Sequence, residues 1–197
     1  MDSQDDVAVM VLIGVDDVFS AGADIKEILE HPEGLAATNP GAALRNVAKP
    51  TIAAVNGICI TGGLELALSS DWMVASDQAR FADTHAKLGV LPRWGLSALL
   101  PAAVGTARAK EITLTGRMVD AAEAYEIGLA SRLLPHANFA AQIGEMAQQV
   151  ATVPTGAAQA TLDLYDEGAC ASLATALELE AQRIETFQSD PGALGNA

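Results

Sequence analysis

Cysteine is scarce in this sequence: Cys59 and Cys170 are the only two. Two thiols so far apart offer neither a disulfide framework nor a metal-ligand spacing, which fits a reducing, cytoplasmic location. Histidine is equally thin, and His31, His85 and His136 are scattered without the spacing of a metal site. Positive charge is short as well. Eleven Lys and Arg stand against 25 Asp and Glu, a net charge of −14. Nucleic-acid phosphates demand a basic surface, so this balance argues against nucleic acid as a partner and disfavours an anionic membrane. Long apolar runs are missing: Gly, Pro or a charge stops each one well short of the roughly 20 residues that span a bilayer. The opening "MDSQDD" lacks the cationic-then-apolar pattern of a secretory signal. With aromatics at only 4%, the core falls to alanine, leucine, isoleucine and valine.

What is present reads as one α/β domain with a helical appendage, a size that 197 residues suit. "VAVMVLI" (7–13) is a continuous, β-branched-rich apolar run and predicts a strand buried on both faces. A glycine-bounded turn follows, then helical spacing over "ADIKEILEH" (23–31), with Asp24 and Glu27 in its first turn. Two prolines and two glycines make 32–41 a loop, and a short helical stretch over 42–48 leads to Pro50. "TIAAV" (51–55) and "WMVAS" (72–76) predict further strands, Phe81 opens another, and a helix begins near Gly63. Strands alternating with helices argue for parallel pairing. Phe139, Ile143, Met146 and Val150 mark one amphipathic helix, and Leu173, Leu177, Ile184 and Phe187 another. The expected division is a core over 1–135 and a helical region over 136–197.

Chemistry concentrates at two strand–turn–helix junctions, "VLIGVDDVFSAGADIKE" and "AAVNGICITGGLELAL". In a parallel sheet such turns lie at the carboxyl ends of strands, where ligands bind. Ala21, Gly22, Ala23, Gly62 and Gly63 let a ligand approach the backbone, and one amide from each turn can meet at a developing oxyanion. Glu65 is the single carboxylate in the apolar run "CITGGLELAL", and burying it is costly unless it is partnered or put to use. Each motif alone also has a plain reading. Small residues pack strand–helix turns, and a glutamate in a first turn offsets the helix dipole.

Taken together and in order, "FSAGADIKE", "KPTIAAVNGICITGGLELALSSD" and "LTGRMVDAAEAYEIGLASRLLP" resemble the enoyl-CoA hydratase/isomerase, or crotonase, superfamily, from about Val7 to Arg183. The resemblance implies a spiral of ββα units followed by a C-terminal helical trimerisation region, hence a homotrimer or dimer of trimers. It implies an acyl-CoA substrate and no resident cofactor or metal, the coenzyme A thioester being the substrate itself. The thioester oxygen would be held by the amides of Ala23 and Gly62. Ala21 and the run Ala23, Asp24, Ile25 and Lys26, with Gly62, would line the CoA and substrate site. Glu65 matches the first of the hydratases' two catalytic glutamates.

Two departures qualify that expectation. In "RFADTHAKLGVLPRWG", His85 occupies the position of the second glutamate. Arg93 stands where the family has a glycine after the proline, and Trp94 follows. His85 has a structural reading and a catalytic one, the latter with a nearby ionised Glu65 raising its pKa so that the imidazole exchanges a proton near neutrality, its charge changing near pH 6–7. Arg93 would either support substrate binding or be solvated, and Cys59 would be a buried strand residue rather than a nucleophile paired with His85. The spiral's first turn, ahead of "VAVMVLI", is also missing from the pattern, which would leave a bare sheet edge. The expected activity is hydration of an enoyl-CoA in fatty acid metabolism or double-bond isomerisation, both through a thioester enolate. The alternatives are a non-catalytic acyl-CoA-binding or structural homologue, and a CoA-thioester hydrolase.

Overall fold

The computed structural model describes residues 6–15, 17–24, 26, 30 and 38–188. These divide into two compact units. One comprises residues 11–47 and 51–144, and the other residues 1–10, 48–50 and 145–197.

The larger unit is built on two four-stranded sheets. The first has the order β1 (Met10–Ile13), β3 (Thr51–Val55), β5 (Trp72–Ser76), β8 (Arg132–Leu134). The second has the order β2 (Val18–Ser20), β4 (Ile58–Ile60), β6 (Arg80–Ala82), β7 (Val119–Asp120). The chain visits the sheets in alternation, so β1–β2, β3–β4 and β5–β6 each lay one strand in each sheet. A helix follows each pair: α1 (Pro40–Arg45), α2 (Gly62–Leu68), and α3 (Leu96–Val104) with α4 (Thr106–Thr115). The result is a repeated ββα unit.

Burial explains which strands carry apolar runs. β3 is wholly buried, and β5 nearly so, because each is flanked by strands on both sides. Their starts are locked together by polar groups. The Asp71 carboxylate accepts from the Thr51 amide at 2.6 Å and the Thr51 hydroxyl at 2.8 Å, and that hydroxyl accepts from the Asp71 amide at 2.9 Å. Phe81, Leu64, Leu100, Ile112 and Val119 fill one core with β3 and β5. α5 (Ala121–Glu126) starts where Asp120 accepts from the Glu123 amide at 2.9 Å, a side-chain N-cap.

The strand expected over 7–13 is shorter and less buried than its sequence suggests. β1 is the edge of its sheet, so its residues are half-buried and Ile13 is exposed. The helix expected over 42–48 begins earlier, at Pro40, where Asn39 accepts from the Ala42 amide and proline suits the first turn. Most of the helix expected over 23–31 lies outside the described residues. The second strands β2 and β4 sit inside segments that read as glycine turns.

α6 (Phe139–Ala151) carries the expected apolar face, with Phe139 and Ile143 buried. In the smaller unit α7 (Thr155–Ala169) and α8 (Leu173–Thr186) lie against each other. Arg183 joins them, reaching Asp163 at 3.3 Å and Glu167 at 2.9 Å. Leu173, Leu177, Ile184 and Phe187 are all exposed in the chain.

One close approach fixes α2 on its strand. A Cβ on Gly63 would lie 2.1 Å from the backbone oxygen of Ser20, at the end of β2. Backbone there cannot yield cheaply, so Gly63→Ala is expected to destabilise the fold by about 1–3 kcal/mol or more. Urea denaturation measures it, and an unchanged midpoint would contradict the packing described.

Candidate active site

Parallel pairing brings the sequence-predicted segments together. β2, β4 and β6 run side by side, with Ser20 opposite Cys59 and Ile60 opposite Ala82. The segments leaving their carboxyl ends (21–24, 61–65 and 83–85) therefore emerge as neighbours. The Thr61 amide donates to the Ala82 carbonyl at 2.9 Å, and the Thr61 and Thr84 hydroxyls share a short hydrogen bond.

Thr61 has φ of 55°, the one non-glycine residue with positive φ among those described. Such a conformation costs about 1–3 kcal/mol and persists only where surrounding contacts impose it. Here it turns the chain sharply from β4 into α2. Gly22, with φ of 90°, packs on that turn: a Cβ there would lie 2.9 Å from the Gly62 amide nitrogen. The two glycine turns are thus in direct backbone contact. Among the described residues, no protein acceptor engages the amide of Ala23 or of Gly62.

Glu65 sits one turn into α2 and is 2% exposed. Its Oε1 accepts from the Trp94 amide at 2.8 Å and the Leu96 amide at 3.3 Å. His85 is 7% exposed and places Nε2 3.5 Å from Glu65 Oε2. That distance makes an ion-pair contact and is too long for a strong direct hydrogen bond. On its other side His85 meets Asp83, which is fully buried. Asp83 Oδ1 lies 2.7 Å from His85 Nδ1 and also accepts from the His85 amide at 3.1 Å.

These contacts set the charges. Burial alone disfavours the His85 cation, but the hydrogen bond with Asp83 and the contact with Glu65 outweigh it, lifting the pKa to about 9. Burial likewise raises Glu65, and His85 with the amides of Trp94 and Leu96 more than reverses it, holding Glu65 below its usual range. Asp83 is raised by burial and brought below its usual range chiefly by His85. The cluster at neutral pH is therefore carboxylate, imidazolium, carboxylate. The rise expected from Glu65 is in the direction found, and the second carboxylate, Asp83, carries it beyond the expected pH 6–7.

The other expected residues fall as follows. Gly62 is buried, Ala23 half-buried, and Ala21, Asp24 and Lys26 exposed, while Ile25 and His31 lie outside the described residues. Asp24 accepts from the Lys26 amide at 2.8 Å. Arg93 is exposed and forms no ion pair among the described residues. Cys59 is completely buried in β4, and desolvation pushes its thiol far above the usual range, which removes it as a nucleophile. Among the described residues no His, Cys, Asp and Glu group is arranged to hold a metal ion. Nor is any helix among them long and apolar enough to cross a membrane. Sequence reasoning missed two features. Asp83 was legible as the first residue of "DTH", since Asp commonly caps the amide two residues on. Trp94 had no such signal, yet its ring packs on Gly62, where a Cβ would lie 2.8 Å from Cζ3.

Comparison with known proteins matches this arrangement of sheets and turns to one family. The family model "Enoyl-CoA hydratase/isomerase" matches residues 1–192. A protein of Rhizobium meliloti (strain 1021) named "Probable enoyl-CoA hydratase" is 37% identical over 185 residues, covering 92% of this chain and 72% of the relative. The 4-chlorobenzoyl coenzyme A dehalogenase-1 of an Arthrobacter species is 35% identical over 194 residues, covering 93% and 70%. Among solved structures, a Thermobifida fusca YX protein in complex with CoA superposes with a TM-score of 0.83 at 30% identity, covering 91% of this chain and 75% of that one. The chain belongs to the enoyl-CoA hydratase/isomerase, or crotonase, family.

The raised His85 pKa has a consequence for stability. A charge favoured by folding contributes fully below the unfolded value of 6.5 and is lost as pH rises through about 9. Raising the pH across that window is expected to lower the urea midpoint of the native chain. In His85→Gln that slope should largely vanish, and an equal slope in both proteins would refute the charged assignment.

Proposed function

We propose that the chain binds an acyl-CoA thioester and adds water to its 2,3-double bond, with Glu65 as base and His85 as acid. The observation that carries the proposal is the 3.5 Å contact of Glu65 with His85, both buried beside the joined Gly22 and Gly62 turns. Family membership supports a CoA thioester, as does the relative whose structure holds CoA. The Ala23 and Gly62 amides, which meet no protein acceptor among the described residues, suit the thioester oxygen.

The chemistry needs only these residues and the substrate. Glu65 takes a proton from water as the oxygen adds to Cβ. The double-bond electron pair moves into the thioester as an enolate, whose oxygen the two amides stabilise; loss of one such donor costs about 10²–10³ in rate. His85 Nε2–H then protonates Cα. Water has been added, Glu65 is left protonated and His85 neutral, and transfer between the two restores the starting state. A protonated glutamate in a two-glutamate site would deliver the same proton, and with Asp83 counted the present cluster carries the same single net negative charge as a carboxylate beside a carboxylic acid. Isomerisation would use the same proton traffic without water.

Glu65→Gln is expected to lower kcat on a short 2-enoyl-CoA by about 10²–10⁴-fold, the usual contribution of a positioned acid or base. CoA binding by calorimetry should be kept. Undiminished kcat would remove Glu65 from the chemistry. Binding without turnover in the native chain would favour a non-catalytic acyl-CoA-binding protein, and release of free CoA a thioester hydrolase.

We also propose association through α8, whose exposed Leu173, Leu177 and Ile184 need cover. Light scattering is expected to give a trimer or hexamer, against which a stable, active monomer would count.

A further inference from the structure

We propose that Asp83 is the positioning residue that makes His85 the acid of this site: it orients the ring through Nδ1, aims Nε2–H at Glu65, and holds the imidazole as a cation. The inference rests on the acid role given to His85 above, but it is tested without substrate.

Geometry carries the argument. One oxygen of Asp83 engages His85 twice, at the ring Nδ1 (2.7 Å) and at the backbone amide (3.1 Å). Two anchors on one residue fix both the backbone and the ring, which leaves Nε2 one direction, toward Glu65 at 3.5 Å. A carboxylate at Nδ1 also settles the protonation pattern: an acceptor-only group there requires N–H at Nδ1. A neutral ring with its proton on Nδ1 would present a bare lone pair to Glu65, two acceptors face to face. Only the cation satisfies both carboxylates.

Burial makes the arrangement costly to leave incomplete. Asp83 is 0% exposed, and among the described residues its Oδ2 has no partner at close hydrogen-bond geometry, although the Thr113 side chain approaches the carboxyl group. A buried carboxylate with one unpartnered oxygen is tolerated where an adjacent cation compensates it. The charged groups that face His85 are Asp83 on its own loop and Glu65 from α2. The α4 side that approaches Asp83 brings the uncharged Thr113. Among the described residues, no Lys or Arg forms an ion pair with any of the three. Among the described residues His85 is therefore the one cation facing both carboxylates, and every strong contact of Asp83 that the geometry shows goes to His85.

Asp83→Asn tests this, because the amide oxygen can keep both hydrogen bonds to His85 while the charge is removed and an NH2 replaces Oδ2. His85 is followed by the pH dependence of its ring carbon and proton shifts in the ligand-free protein, with assignment by His85→Gln. In the native chain the ring is expected to titrate near 9. In Asp83→Asn the midpoint should fall by about 1–3 pH units, the effect of an opposite charge at this range. In turnover, the alkaline limb of kcat should move down by the same amount, with KM little changed. Asp83→Glu should restore part of the shift. An unmoved titration in Asp83→Asn overturns the proposal. So does a native His85 titrating in the ordinary histidine range, which decides the matter even if the variant does not fold. A shifted titration without acyl-CoA turnover in the native chain would uphold Asp83's hold on His85 while sinking the proposed reaction.

Discussion

The parallel register of β2, β4 and β6 is the constraint on which everything else in this chain rests. Parallel neighbours end on the same side, so whatever follows them in sequence is delivered to one place. Residues 22, 62, 65 and 85 come from three strand–helix units, and the pairing of Ser20 with Cys59 and Ile60 with Ala82 is what makes them neighbours. An antiparallel return of any one strand would send its turn to the opposite edge. The strain at Thr61 and the close approaches at Gly22 and Gly63 follow from the same condition, since three backbones must converge within contact distance.

Electrostatics inside that convergence are balanced by count. Two buried carboxylates without a cation would drive one of them to protonate, and a lone buried imidazole would lose its proton. Together the three groups hold one net negative charge in a space shut off from solvent, with Glu65 further steadied by the amides of Trp94 and Leu96. The histidine at position 85 is thus tied electrostatically to the aspartate two residues earlier. In the proposed reaction the pair "D-x-H" would take the part of a single protonated acid.

How much of this could be read beforehand depended on the length of each signal. The five-residue runs of β3 and β5 are long, apolar and flanked by turns, and they stood out. β2 and β4 are three residues each and embedded among Gly, Asp and Asn, so periodicity had too few residues to register. They are strands because neighbouring strands pair with them, and that is tertiary information. β1 reversed the error: its composition suits a central strand, but its place in the sheet order leaves it at an edge. Glu65 was conspicuous as a lone carboxylate in an apolar run. Asp83, one acidic residue among 25 Asp and Glu, gains its meaning only when the fold seals it beside His85. The upward direction of the His85 shift was legible from Glu65 alone, while its extent was not, since sequence showed one carboxylate near the ring and the structure shows two.

Cys59 lies in the middle strand of this sheet, between the turns that make the site, and its thiol is sealed and held in the neutral form. Thiolate, and not thiol, attacks electrophiles. If the proposed reaction holds, the site meets activated, conjugated thioesters, which can alkylate or acylate sulfur. Here the Cys59 thiol is buried and held neutral, which disfavours its acylation or alkylation by such compounds. Cys170 is free and exposed, and so is the cysteine open to a thiol reagent. A chromogenic disulfide added to count liberated CoA will therefore find one equivalent of background per chain, and that background will report nothing about the site.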